Sequence, residues 1–216
     1  ADGNRCFDNS AEHLEAELDK SLQRLGVECV DLFYAHRRDP RFTPEETAAN
    51  LGRLVEKGKT RAIGLSEVAP STLRRAMTAF PVAAVQSEYS LSTRFPDLGL
   101  VQACAELGVA FVAFSPVGRS LLTDNPIPKA RIPQLPFLAG NPRFMEPYLS
   151  ENLPITDKFC SLAAQMGTSA AALANGWLLN RGDHVIPIPG TRSVKHLREC
   201  VAGAVRTLTP EDLVRI

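Results

Sequence analysis

Long apolar runs are missing from this 216-residue sequence, so it carries no candidate membrane-spanning helix. Excess charge of one sign is missing as well. Lys plus Arg and Asp plus Glu both number 24, for a formal net charge of +0. No net field therefore draws the chain to nucleic acid or to an anionic membrane, and neither is expected as a partner. Cysteine is sparse. Cys6, Cys29, Cys104, Cys160 and Cys200 are odd in number and scattered, with no CxxC and no Cys/His ligand spacing. That pattern indicates neither a disulfide framework nor a metal site. No signal-peptide pattern opens the sequence, and a cytoplasmic protein with reduced thiols is the expectation. A hydrophobic share of 44% with 22% charged residues fits a globular domain.

What is present is an alternation of helix and strand. Asn9 or Ser10 can cap a first helix whose stripe is Leu14, Leu18, Leu22 and Leu25, with Gly26 as its stop. Val30 to His36 reads as a buried strand ending on a histidine. Thr43-Pro44-Glu45-Glu46 is a capping box with proline at the first helical position. Further strands are expected at 61–66, 82–87, 109–115 and 184–188, each separated from the next by helical periodicity. Residues 116–154 break the rhythm: rich in proline and poor in periodicity, they predict a long loop. Helices resume near Thr156, and Thr209-Pro210-Glu211-Asp212 signals a last helix start.

Short strands apolar on both faces and separated by helices predict parallel βα units. A doubly wound sheet is the rival, but no GxGxxG follows any strand. A (β/α) barrel fits better. It needs eight strands, and about five are countable.

Five motifs, each at the carboxyl end of a predicted strand, resemble the aldo-keto reductase family. They are Asp31-Leu32-Phe33-Tyr34-Ala35-His36-Arg37, Gly58 to Ser66, Gln86-Ser87-Glu88-Tyr89-Ser90, Phe114-Ser115-Pro116-Val117-Gly118-Arg119, and Pro187-Ile188-Pro189-Gly190-Thr191-Arg192. The resemblance covers essentially the whole chain. It implies an α/β fold of the (β/α)8 TIM-barrel type, with this chain, 1–216, as one partial barrel domain holding roughly strands four to eight. Residues 116–154 would then be the long loop after strand seven.

The resemblance also implies NADPH-dependent reduction of aldehydes or ketones to alcohols, with a small carbonyl compound as substrate and no metal. His36 matches the histidine that orients and polarises the carbonyl. The family's aspartate, tyrosine and lysine belong to earlier strands, and Tyr34 and Tyr89 stand at the wrong motif positions to replace them. Little or no reductase activity is therefore expected from these 216 residues alone. Ser66 and Gln86 match carboxamide-binding positions. Glu67 stands where many members have asparagine. Phe114 stands where many stack a tyrosine on the nicotinamide. Ser115, Val117, Gly118 and Arg119 match the loop following the pyrophosphate. Gly190, Thr191, Arg192, Ser193 and His196 match the segment around the ribose phosphate, with Arg192 the candidate for the 2′-phosphate. Glu199 matches an adenine-contacting position, and Cys200 replaces the usual asparagine.

Alternatives to the enzyme are a non-catalytic NADP-binding or regulatory homologue, and a truncated product that needs a partner. An opened barrel would expose two unpaired strand edges and uncover interior side chains such as Ile63, Val85 and Val112, so either missing segments in the real molecule or self-association that covers those edges is expected.

Overall fold

Ser10 starts the first helix, α1 (Ala11–Leu25), by accepting a hydrogen bond from the His13 N–H; Gly26 ends it in the left-handed conformation at φ 68°. The computed structural model describes residues 7–205 and 207–216, so Cys6 lies outside the described residues. Leu14, Leu18 and Leu22 are buried along α1, whereas Leu25, expected in the same stripe, is 64% exposed. Strand β1 (Val30–Ala35) leads to α2 (Pro44–Glu56), which opens on the full capping box of Thr43 and Glu46. Then come β2 (Thr60–Ser66), α3 (Pro70–Met77), β3 (Val82–Glu88), α4 (Leu100–Leu107) and β4 (Ala110–Phe114).

The segment expected as a loop contains 3-10 turns and a four-residue helix, α5 (Pro136–Ala139). Its end already belongs to α6 (Tyr148–Gln165), which starts earlier than expected and is followed by α7 (Ala170–Leu179), β5 (Val185–Ile188), α8 (Val194–Ala202) and α9 (Pro210–Arg215). No helix among the described residues is long and apolar enough to cross a membrane.

The chain divides into two compact units. One comprises residues up to Ser87 together with Pro96–Val112; the other comprises Glu88–Phe95 and Ala113–Ile216. The strand order is β1-β2-β3-β4-β5, with β1-β2 and β2-β3 parallel. A doubly wound sheet reverses its strand order at a switch point. This order is monotone, as in a barrel wound in one direction.

In the first unit Leu18, Leu51, Leu54, Ile63, Leu73 and Val85 are buried to 1% exposure or less. Each such side chain contributes about 1.5–3 kcal/mol from burial. Register decides which face each strand residue occupies. Tyr34 lies beside Gly64, Ala35 beside Leu65, and Ser66 beside Gln86. Successive side chains alternate between faces, so Ile63 and Leu65 share one face with Ala35, while Tyr34, Gly64, Ser66 and Gln86 share the other. Ile63 and Val85 are both 0% exposed. The expectation that they are uncovered barrel-interior residues is therefore corrected: Ile63 belongs to the face opposite the Ser66–Gln86 row. Val112 is half-buried.

In the second unit α7 is buried from Ala170 to Leu178. A helix apolar all round belongs inside a core. Its Trp177 packs against Tyr89 with ring centroids 5.5 Å apart.

Candidate functional site

Three strand ends gather the polar residues of the first unit. His36 directly follows β1 and is exposed. Ser66 ends β2 and is buried at 4% exposure. Gln86 lies beside it in β3 and is half-buried. Arg37 links two of them. Its Nη1 donates to the His36 carbonyl at 2.7 Å and to the Ser66 hydroxyl at 3.2 Å. Sequence reasoning did not single out Arg37, although it stands one residue past His36 in the quoted motif.

Glu67 adopts φ 54° and donates its N–H to the Gln86 carbonyl at 2.9 Å, which carries the β2–β3 pairing one residue beyond Ser66. Gly64 is required by the row below. A Cβ there would stand 2.3 Å from the Tyr34 ring. Burial raises the Tyr34 phenol above its ordinary value of 10.0. Tyr89 is occupied: it is fully buried, and its hydroxyl accepts from Arg181 Nε at 2.9 Å.

The second unit holds a cavity of about 610 Å³. One wall is the turn after β4, lined by Phe114, Ser115, Val117 and Arg119. Its backbone is unusual. Ser115, Gly118, Arg119 and Ser120 have φ values of 52°, 57°, 54° and 90°. The turn is held by Gly118 N–H to Ser115 O at 2.9 Å and by Leu122 N–H to Val117 O at 3.1 Å. Three successive residues, Gly118 to Ser120, have positive φ, and the N–H groups of Gly118, Ser120, Leu121 and Leu122 are all spent on carbonyls within the turn. Gly118 itself is buried behind this wall, where a Cβ would meet Ser92 Oγ at 2.7 Å. The Arg119 guanidinium is held by the Glu88 carboxylate at 3.0 Å, with both side chains partly buried.

Gly190, Thr191, His196 and Glu199 line the opposite wall. Ser193 caps α8 by accepting from the His196 N–H at 3.4 Å, and Thr191 Oγ1 accepts from the Ser193 N–H at 3.1 Å. Arg192 is exposed, and neither it nor Ser193 lines the cavity. Cys200 does line it, and burial pushes its thiol up.

Asp124, Asn125, Ile127, Phe137 and Ala171 also line it and were missed from sequence. The first four come from the proline-rich segment, whose lack of period gave no signal beyond its length. Asp124 also accepts from the Ala170 N–H at 3.1 Å, at the start of α7.

Comparison with known proteins completes the description. The chain is 38% identical over 210 residues to the probable aldo-keto reductase 1 of Glycine max, covering 97% of this chain and 60% of that protein. It is 38% identical over 200 residues to the aldo-keto reductase yakc, named for NADP(+), of Schizosaccharomyces pombe, covering 91% of this chain and 59% of that protein. The chain thus spans about three fifths of the length of these relatives.

Among solved structures it resembles the glycerol dehydrogenase AKR11B4 from Gluconobacter oxydans, with a TM-score of 0.84 and 27% identity over 96% of this chain and 63% of that one. It also resembles the thermostable aldo-keto reductase Tm1743 in complex with the inhibitor epalrestat, with a TM-score of 0.76 and 25% identity over 95% of this chain and 65% of that one. The family model for aldo/keto reductases matches residues 1–216, and the chain belongs to the aldo/keto reductase family.

Proposed function

We propose that this chain is the nucleotide-holding portion of an NADPH-dependent oxidoreductase that reduces small aldehydes or ketones to alcohols. We read its five strands as the fourth to eighth of a (β/α)8 barrel, and residues 1–216 as one partial barrel domain. The observation that carries the proposal is the cavity of about 610 Å³ in the second unit, lined by Phe114, Ser115, Val117, Arg119, Gly190, Thr191, His196 and Glu199. All eight are positions the family resemblance assigns to the cofactor.

The donors around this cavity suit a dinucleotide. The turn after β4 supplies the Arg119 guanidinium for a pyrophosphate, and the capped start of α8 supplies N–H groups for a further phosphate. Phe114 offers an aromatic face for a ring. Glu199 and the Cys200 thiol stand on the same side as α8, where the resemblance places the adenine. Arg192, exposed beside the cavity's Thr191, would serve the 2′-phosphate as a mobile fork.

When bound, the nicotinamide supplies a hydride to the carbonyl carbon. His36 donates a hydrogen bond to the carbonyl oxygen and orients it. Ser66 and Gln86 hold the carboxamide; Glu67, a carboxylate with no N–H to give from its side chain, contributes its backbone. The chain's own residues do not include the family's tyrosine acid, so these 216 residues alone turn over little or no carbonyl substrate. We read the protein as cytoplasmic, with association between copies covering open strand edges.

Calorimetric titration with NADPH and NADH tests the reading. NADPH binds more tightly, and Arg192→Ala weakens NADPH by about tenfold or more while leaving NADH nearly unchanged. Equal affinity for the two nucleotides defeats the role given to Arg192, and binding of neither defeats the proposal. Robust turnover of an aromatic aldehyde by the purified chain would show that another residue acts as acid.

A further inference from the structure

The second unit holds another cavity, of about 540 Å³, that shares no lining residue with the nucleotide cavity. Its floor is apolar, formed by Leu121, Leu122, Phe159 and Leu162. Its charged side chains are all cationic: Arg94, Arg143, Lys158 and Arg215 line it, and no Asp or Glu side chain does. Ile216, whose terminal carboxylate is anionic in the 216-residue chain, lines it beside Arg215. In a chain with equal numbers of acidic and basic residues, four cationic side chains around one apolar hollow is a departure from the mean.

Two of the cations, Arg143 and Lys158, keep donors to spare among the described residues. Arg143 uses its Nε on the Ser92 carbonyl at 2.9 Å, and its terminal nitrogens make no hydrogen bond or ion pair among the described residues. Lys158 makes no ion pair among them either. A second, independent feature points inward. Thr156 is 4% exposed and lines the cavity, yet its hydroxyl makes no hydrogen bond among the described residues. A threonine in the body of a helix ordinarily satisfies its hydroxyl on the carbonyl one turn back. Here the hydroxyl borders the cavity with no partner in the protein, so it is free to donate to a ligand acceptor there.

We infer that this cavity binds an organic monocarboxylate with an apolar tail or ring. The apolar part lies on the leucine and phenylalanine floor. The carboxylate takes donors from Arg143, Lys158 and the Thr156 hydroxyl. The volume lies in the range of small-molecule sites, and an apolar wall with a few convergent polar groups is their usual composition. A carboxylate suits these donors because guanidinium and ammonium groups form their strongest hydrogen bonds with ionised acceptors. The inference stands apart from the nucleotide reading, since it uses none of the same residues.

The molecule carries its own reporter. Trp177 is its single tryptophan, and the Arg94 guanidinium lies 4.8 Å from the centre of that ring. An anion that draws on Arg94 changes the charge over the indole and shifts its emission.

The probe is 4-phenylbutyrate, with 4-phenylbutyramide as the neutral control, added to the 216-residue chain with and without saturating NADP⁺. Calorimetry and tryptophan emission are read together. The expected result is saturable binding of the acid, about tenfold weaker binding of the amide, and loss of about tenfold in affinity for the acid in Lys158→Met or Thr156→Val. NADP⁺ leaves the affinity unchanged. Lys158→Met keeps the aliphatic stem of an exposed side chain, so folding is preserved and circular dichroism verifies it. Amide and acid binding equally, competition by NADP⁺, an unchanged affinity in both variants, or no binding of the acid at about 1 mM would each overturn the inference.

Discussion

Glu67 holds a backbone angle, φ 54°, that costs a residue with a Cβ roughly 1–2 kcal/mol, and asparagine least among them. The angle lets the turn beyond β2 point its N–H at the Gln86 carbonyl. Glu67→Asn is accordingly expected to raise unfolding free energy by about 0.5 kcal/mol, read from urea denaturation; a loss of stability would mean the glutamate side chain matters more than its backbone.

Asp39 behaves differently. It is 1% exposed, accepts from Arg41 through both oxygens, and its own N–H is received by Asn9 at 2.7 Å. The Arg41 guanidinium, with backbone donors, holds its carboxyl down to about 2. A carboxylate whose pKa falls on folding stabilises the fold above its unfolded value of about 3.9, and that stability is lost as pH falls toward the folded value. Asp39→Asn should therefore flatten the acid limb of stability between about pH 4 and 2; an unaltered limb would remove Asp39 from acid sensitivity. The motifs drew attention to His36 and Ser66, which the structure places at the carboxyl ends of neighbouring strands. The Arg37–Ser66 and Asp39–Asn9 bonds were not legible, since they span 29 and 30 positions.

Helix starts were the most readable elements. The caps of α1, α2 and α9 are local chemistry, contained within four residues of chain. The proline-rich segment was the least readable. Leu121, Ile132, Leu138, Phe144 and Leu149 form a small core of their own, on 3-10 turns and short helices with no common period. Nor was the start of α6 legible. The helix begins at Tyr148 with Pro154 inside it, and a proline there removes one donor and argues for a later start. If that small core organises the segment, Leu138→Ala, at a fully buried position, lowers unfolding free energy by about 2–5 kcal/mol in denaturant titration. A change below about 0.5 kcal/mol would show the segment packing without it.

The monotone strand order was foreseen from alternating βα units, but the faces of the strands were not. Strands apolar on both sides have no period of two, so Ile63 and Val85 could be assigned to either face from sequence. Only the register, with Tyr34 against Gly64 and Ser66 against Gln86, resolves it. At the ends of the order, β1 and β5 each pair on one side among the described residues, and Ile186 and Ile188 on β5 are 48% and 42% exposed. Such edges template pairing between chains. Sedimentation velocity on the purified chain should show a concentration-dependent dimer or larger species, and a monodisperse monomer at all concentrations would count against association.

Arg119 never swings free: Glu88 tethers its guanidinium at 3.0 Å before any guest arrives. A side chain already immobilised loses little conformational entropy when it is enlisted, because that ordering happened as the protein folded. The tether also supplies a resident counter-charge, so a phosphate bound there as proposed would meet an oriented dipole more than a bare cation. Recognition built this way is rigid and selective in geometry, and it yields less to added salt than attraction between loose surface charges.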